Sequence, residues 1–173
     1  MLETVIQRLP PRRLSYALGF VVCAALIAFA YYLQLVKHEE PCPLCIFQRV
    51  AVFALGVIFL LAALHNPGRA GAIVYGLLIA LGAGIGAAIA ARHVWLQHLP
   101  PGQVPACGPG LDYMLESFPF GQTLRLVLQG SGECAAAGWH FLGLSIPAWT
   151  LIFFALLGIG GLVQIWNRPR RGY

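Results

Sequence analysis

Two cysteines three residues apart, in the stretch PCPLCIFQRV at residues 41–50, carry the clearest chemical signal in this 173-residue chain. The C-x-x-C spacing is typical of dithiols that cycle between thiol and disulfide, and it also occurs in metal sites. A disulfide between Cys42 and Cys45 would close almost no loop, so as a structural staple it would stabilise little. A zinc site needs four ligands, and the polar segments show neither a second C-x-x-C nor two closely spaced histidines. The pair therefore favours redox chemistry, with a metal site left open as the weaker alternative.

A second pair, Cys107 and Cys134, is separated by 26 residues. A disulfide closing a loop of this length would stabilise the fold by roughly 3–4 kcal/mol on the chain-entropy model. A purely structural role stays open for this pair. The fifth cysteine, Cys23, lies within an apolar run, where a buried cysteine usually behaves as a small, inert hydrophobic residue.

The elements that must position these cysteines are membrane helices. Apolar side chains make up 59% of the chain and charged ones only 10%, whereas about 25% is usual in soluble domains. Four stretches are long enough to cross about 30 Å of hydrocarbon at about 1.5 Å per residue: 14–36, 46–64, 70–96 and 147–166. The sequence predicts an all-α membrane protein with a bundle of four transmembrane helices in one domain, residues 1–173.

The first span has an alternative interpretation as a signal peptide, because arginines precede it and Ala28-Phe29-Ala30 resembles a cleavage site. The apolar run continues past that site to Leu35, which makes it longer than the usual ~7–15 residues. A retained helix is the better prediction.

The distribution of charge predicts the orientation. Basic residues concentrate on one side of the predicted membrane, where seven of the eleven lysines and arginines lie: Arg8, Arg12, Arg13, Arg69, Arg168, Arg170 and Arg171. The positive-inside rule then makes both termini cytoplasmic and places two loops, 37–45 and 97–146, outside. Because the formal charge of +5 is segregated in this way, it indicates a membrane rather than a nucleic-acid partner. The loops hold four of the five cysteines, in a compartment where disulfides persist.

Basic residues also lie close to the C-x-x-C pair. Cys45 begins the second helix, where free backbone N–H groups and the helix dipole favour an anionic sulfur. Arg49 follows four residues later on the same helical face, where it could stabilise a thiolate or an acceptor, or simply reach lipid phosphates. Arg92 and His93 end the third span at the same depth, so we expect this cation and imidazole to converge on the pair.

Electrons that leave a dithiol need an acceptor. The chain shows no haem C-x-x-C-H motif, no iron–sulfur cysteine run and no nucleotide-binding fold. A redox pair at the membrane surface therefore points to a lipid-soluble acceptor such as a quinone. The glycines of LGAGIGAAIA lie within the third span, and Gly82, Gly86 and Ala90 predict a helix-packing face rather than a nucleotide site.

At this point the sequence closely resembles the bacterial disulfide bond formation protein B (DsbB) family. The resemblance rests on PCPLCIFQR at the second helix, RHVWLQH at the end of the third, WHFLGLSIPAW before the fourth, and Cys107 and Cys134 between them. It implies an enzyme of the bacterial inner membrane, a thiol:quinone oxidoreductase with its active loops in the periplasm. Such an enzyme reoxidises a soluble periplasmic dithiol oxidase of thioredoxin-like fold (DsbA) and passes the electrons to ubiquinone or menaquinone.

The resemblance also implies roles for the four catalytic cysteines. Cys107 matches the sulfur that the partner attacks to give a mixed disulfide, and Cys134 matches its disulfide mate. Cys42 matches the cysteine that pairs with Cys134 between the loops. Cys45 matches the cysteine that meets the quinone as a thiolate adduct.

Two further residues match the quinone site of the family. Arg49 corresponds to its cation and His93 to its histidine.

The segment LDYMLESFPFGQTLRLVLQ mixes apolar and charged residues, and we expect it to lie on the membrane surface as an amphipathic element that lets the Cys107–Cys134 loop move.

Two other classes remain as alternatives. A vitamin K epoxide reductase-like enzyme also couples outer cysteines to a quinone. Its C-x-x-C usually lies near a later helix, whereas in this chain the motif lies at the start of the second. A non-enzymatic membrane scaffold with structural disulfides, or a metal handler, is the third class.

Overall fold

The structure is a computed structural model, and it describes residues 10–100, 102–105, 111–135 and 139–166. In chain order its elements are α1 Arg12–Val36, α2 Pro43–His65, α3 Arg69–Gln97, α4 Leu111–Ser117, α5 Phe120–Gln129, α6 Gly132–Ala135, β1 His140–Phe141, β2 Leu144–Ser145 and α7 Ile146–Trp166. Helices α1, α2, α3 and α7 are long and apolar enough to cross a membrane. The predicted all-α bundle of four spans is therefore confirmed, and each helix end lies within about three residues of its predicted position. The fold is that of a multi-pass membrane protein; the side that each loop faces stays a prediction.

Helix ends occur where the sequence supplies capping residues. Pro43 occupies the first position of α2, which suits proline because its missing N–H has no helical partner there. Helix α2 ends at His65 and is capped by Asn66, which adopts the left-handed conformation with φ of 43°. The short link through Pro67 and Gly68 then starts α3, so α2 and α3 form a tight antiparallel pair.

The long helices pack in the order α1 on α2, α2 on α3 and α3 on α7. Small residues allow the closest approaches: a Cβ added to Gly86 would lie 2.3 Å from the ring of Phe154 on α7. A Cβ added to Gly82 would lie 3.1 Å from Leu55 on α2. The predicted packing face of α3 is therefore confirmed, and it serves two neighbouring helices. Cys23 lies in this bundle core and is 2% exposed.

A second apolar cluster covers the end of the bundle where α2 begins and α3 ends, which we call the cysteine end. Helices α4, α5 and α6 contribute to it, and α4 and α5 form the segment predicted to be amphipathic. Its buried residues are Cys42, Leu44, Ile89, Leu96, Met114, Val127 and Cys134. Two cysteines thus lie inside a packed layer rather than on an open loop.

The hairpin of β1 and β2 fixes the start of α7 and was not predicted. Leu142 and Gly143 make the turn with positive φ of 51° and 78°, as two-residue hairpin turns require. Ser145 Oγ donates a hydrogen bond to Gln97 Oε1 at 2.7 Å, and Trp149 Nε1 donates to the Phe141 carbonyl at 3.0 Å. The hairpin therefore joins the end of α3 to the beginning of α7.

Candidate active site

The C-x-x-C pair forms the N-terminus of α2. Cys42 is the capping residue, and its sulfur accepts a hydrogen bond from the backbone N–H of Cys45 at 3.4 Å. The two sulfur atoms lie 3.2 Å apart. The first N–H groups of a helix are otherwise unpaired, and the Cys42 sulfur takes up one of them.

Cys134 on α6 brings a third sulfur to the pair. Its side chain is 1% exposed, and its thiol makes a hydrogen bond to Cys42. That hydrogen bond and burial together raise the pKa of the Cys134 thiol well above its ordinary value. Ser131 Oγ lies 3.7 Å from the Cys134 sulfur. Cys42 therefore contacts both Cys45, its neighbour in the motif, and Cys134, which is 92 residues away in the sequence.

His93 on α3 makes hydrogen bonds to residues of α2 and α6. Gln48 Nε2 donates to its Nδ1 at 3.0 Å, so Nε2 carries the proton and donates to the Cys134 carbonyl, also at 3.0 Å. The same Nε2 lies 3.8 Å from the Cys42 sulfur. The imidazole is 3% exposed. A buried, fully bonded ring of this kind fixes α6 against α2.

The fold brings a third possible metal ligand, His93, next to the C-x-x-C pair, and the sequence analysis did not count it as a ligand. The ligand atoms of Cys42, Cys45 and His93 all lie within 4.8 Å of one another. Sequence reasoning counted ligands near the pair along the chain and therefore left out a histidine on another helix. Three possible ligands are therefore present, although the His93 Nε2 proton is already donated to a carbonyl.

Arg49 lies half-buried on α2, one turn below Cys45, and its side chain turns toward α1. Its Nη1 donates to Gln34 Oε1 at 2.5 Å and its Nη2 to the Ala30 carbonyl at 3.2 Å. The guanidinium carbon lies 5.5 Å from the centre of the Tyr31 ring. The cation is therefore held in a fixed position at the cysteine end rather than free to reach lipid.

A cavity of about 700 Å³ opens between α1, α2, α7 and the hairpin. Its lining includes Cys42, Cys45, Gln48, Arg49 and His93, and most of the other lining residues are apolar or aromatic. This volume is typical of sites for small molecules, which are usually lined by apolar groups with a few fixed polar ones. The cavity can therefore hold a flat, mostly apolar ligand within reach of a cysteine sulfur and a guanidinium.

The expectation that Arg92 would converge with His93 on the pair is wrong. Arg92 turns toward α5, where it donates to the carbonyls of Leu128 and Gln129, and it is absent from the cavity lining. The physical reason is helical geometry, because successive residues on a helix point about 100° apart and do not face the same way. The position of Arg92 near the end of α3 was predicted correctly, but the direction of its side chain was not.

The six predicted site residues fall into two groups. Cys42, Cys45, Cys134, Arg49 and His93 come together at the cysteine end, whereas Cys107 lies outside the described residues. Sequence reasoning missed the polar partners that orient the site: Gln34, Gln48 and Ser131. The signal for the two glutamines was available, because a polar residue inside an apolar span is costly unless it has a partner.

Comparison with known proteins adds an independent finding. The family described as disulfide bond formation protein DsbB matches residues 12–164. The chain is 54% identical over 160 residues to disulfide bond formation protein B of Nitrosococcus oceani, which covers 92% of this chain and 93% of that protein. It is 53% identical over 165 residues to the protein of the same name from Methylococcus capsulatus, covering 94% of this chain and 99% of that one. The relative from Hahella chejuensis is 52% identical over 166 residues.

Proposed function

The chain belongs to the disulfide bond formation protein B family, and from this premise we propose that it oxidises a periplasmic dithiol protein and passes the electrons to a membrane quinone. The coarser part is established by the family: this is a membrane oxidoreductase of disulfide bond formation. Family membership also favours this function over a vitamin K epoxide reductase-like enzyme and over a scaffold. The partner and the acceptor are the proposal.

One observation carries the proposal: the Cys42 sulfur contacts both the Cys45 sulfur and the Cys134 thiol beside a cavity of about 700 Å³. Thiol–disulfide exchange needs the attacking sulfur next to the sulfur that it attacks. Cys42 is the residue that can be bonded to Cys45 in one state and to Cys134 in another with little movement. The three sulfurs thus support a relay from the second loop to the cavity.

The first half of the reaction takes place at Cys107 and Cys134. A thiolate of the reduced partner attacks Cys107 in a Cys107–Cys134 disulfide, which gives a mixed disulfide and releases Cys134. The second partner thiol then attacks the mixed disulfide and frees Cys107. The partner leaves as a disulfide, so two electrons and two protons have passed to Cys107 and Cys134.

The second half moves these electrons to the cavity. Cys134 attacks Cys42 in a Cys42–Cys45 disulfide, which forms Cys42–Cys134 and releases Cys45 as a thiolate at the α2 N-terminus. Cys107 then attacks Cys134, which restores the first disulfide and frees Cys42. Oxidation of Cys42 and Cys45 back to a disulfide releases two electrons and two protons, which a bound quinone would take up to become a quinol.

The residues of the cavity fit a quinone. Its apolar walls suit a ring with an isoprenoid tail, and Cys45 and Arg49 both line it from the same helix, four residues apart. Arg49 would donate to a quinone oxygen, and its bonds to Gln34 and Ala30 already fix its orientation. His93 would hold the Cys134 backbone near Cys42 while its ring lines the cavity.

The test uses the full-length protein in detergent with a soluble quinone and a reduced thioredoxin-like dithiol protein as partner. Wild-type protein should bleach the quinone absorbance when the partner is added. We expect Cys45→Ser to abolish quinone reduction from any donor. Cys107→Ser should block oxidation of the partner but keep quinone reduction by a small dithiol that reaches Cys42 and Cys45 directly. Full quinone reduction in the Cys45→Ser protein would exclude the proposal.

Metal binding is a second candidate function, favoured by the approach of Cys42, Cys45 and His93 within 4.8 Å. A zinc ion held there would keep the cysteines reduced in the presence of quinone. Elemental analysis of the purified, reduced protein separates the two functions. One metal per chain, lost together in Cys42→Ser and His93→Phe, would favour the metal handler.

A further inference from the structure

Arg92 lies next to His93 in the sequence but belongs to a different contact. Its guanidinium carbon lies 4.2 Å from the centre of the Trp95 ring. Its Nε and Nη2 atoms donate to the carbonyls of Leu128 and Gln129, at 3.1 and 3.0 Å. These are the last two residues of α5, whose carbonyls have no partner within the helix. A cation is also favoured there by the negative end of the helix dipole.

The end of α5 leads directly into the turn that presents Cys134. Gly130 has a φ of 82°, and a Cβ added to it would lie 2.2 Å from Leu96 Cδ1 on α3. The backbone N–H of Gly130 donates to the Val127 carbonyl, and the N–H of Cys134 donates to the Ser131 carbonyl at 2.9 Å. These contacts therefore restrain the short segment between the carbonyls that Arg92 binds and Cys134.

We propose that Arg92 is a positioning residue, which holds Cys134 against Cys42 by clamping the C-terminus of α5 onto α3. The inference rests on the proposed function only for its kinetic consequence, because the clamp itself is a matter of geometry. Arg92 does not line the cavity of about 700 Å³, and its printed contacts are with Leu128, Gln129 and Trp95 rather than with the described sulfurs of Cys42, Cys45 and Cys134. It acts through the four residues between Gln129 and Cys134.

A competing explanation is that Arg92 merely adds a positive charge that holds α5 at the membrane surface, as arginines near helix ends often do by reaching the interface. The chain offers a matched control for this idea. Arg125 on α5 lines the same shallow cavity of about 440 Å³ as Arg92, together with Leu124 and Leu128. A surface anchor of α5 would depend on Arg125 at least as much as on Arg92, whereas a clamp depends on Arg92 alone.

The first experiment measures the accessibility of Cys134 in the reduced, full-length protein in lipid nanodiscs. Alkylation of Cys134 by a small maleimide is followed by mass spectrometry. We expect Arg92→Met to raise its rate roughly tenfold, since it removes two charge-assisted hydrogen bonds. Arg92→Lys keeps the charge with fewer donors and should give a smaller increase, and Arg125→Met should match the wild type. An unchanged rate in Arg92→Met, or an equal rise in Arg125→Met, overturns the proposal.

The second experiment separates positioning from loss of the fold. Quinone reduction is measured with a small dithiol, which reduces Cys42–Cys45 directly, and with the reduced partner protein, which must use Cys134. Arg92→Met should slow the second reaction roughly tenfold in kcat with little change in KM, and leave the first within about twofold. An equal fall in both reactions would indicate general destabilisation and overturn the clamp. If wild-type protein reduces no quinone from either donor, the proposed function fails, while the alkylation series still decides the role of Arg92.

Discussion

Two buried cysteines show how differently the two regions of this molecule use the same side chain. Cys23 in the bundle core is 2% exposed, and Cys134 at the cysteine end is 1% exposed. Cys23 packs among apolar groups, with Gly56 of α2 beside it. Cys134 lies in a network of thiol, imidazole and hydroxyl groups. Burial therefore does not distinguish these two cysteines, whereas the polar groups around them do.

The same contrast holds for the helices. In the bundle core the helices must pack closely, and small residues such as Gly86 allow α3 to approach α7. At the cysteine end, buried polar atoms must find partners, and those partners come from different helices: Gln48 on α2, His93 on α3 and Cys134 on α6. Changes at the cysteine end should therefore alter chemistry first, and changes in the core should alter stability first.

The strongest test of this contrast is removal of the sulfur that links the two pairs. We expect Cys42→Ala to reduce electron transfer from the partner to quinone by at least about a hundredfold, since Cys134 then has no disulfide to attack. The measurement is quinone bleaching with reduced partner in excess. Residual transfer close to the wild-type rate would mean that Cys134 reaches Cys45 or the quinone without Cys42.

A second test compares two histidines at opposite ends of the bundle. His93→Phe removes the bonds to Gln48 and to the Cys134 carbonyl, and leaves buried polar atoms unpaired. We expect partner-driven quinone reduction to fall roughly ten- to a hundredfold. His65 is exposed and bonds Tyr75 at 2.9 Å, far from the cysteines, so His65→Phe is the matched control and should retain wild-type activity. Equal losses in both variants would indicate that His93 acts only on the fold.

Much of this architecture could be predicted because the bilayer limits the secondary structure that a chain crossing it can adopt. Apolar length predicted the four spans, and it placed the start of α2 at residue 46, three residues after the helix begins at Pro43. What could not be predicted from the residues alone were contacts between helices, although the family resemblance implied that Cys42 pairs with Cys134. Nothing in the spacing of Cys42 and Cys134 shows that the two sulfurs meet, and nothing near Arg92 shows that its partners are carbonyls 36 and 37 residues later. Rotation of each helix about its axis decides these contacts, and it depends on packing.

A third test uses the raised pKa of Cys134, a group outside the spanning helices. Because the thiol is favoured over the thiolate, alkylation of Cys134 in the reduced protein should continue to rise with pH above the range of an ordinary cysteine. Cys42→Ala removes the largest cause of the shift, the hydrogen bond to Cys42, so the pKa should fall and the profile move to lower pH. The shape of the profile, rather than the absolute rate, is the readout, since the variant also changes access. An unchanged profile would show that burial alone controls the thiol.

The smallest effect is expected at Cys23, and it tests the other half of the comparison. Cys23→Ala removes one sulfur from the bundle core, which should cost about 1 kcal/mol of stability, because the atoms facing Gly56 lose contacts. Thermal unfolding in detergent measures that cost. Electron transfer from partner to quinone should stay within about twofold of the wild type, since the described structure gives Cys23 no polar partner near the cysteine end. If activity fell while the unfolding temperature did not, Cys23 would take part in the redox chemistry, and apolar surroundings would no longer mark a cysteine as inert in this fold.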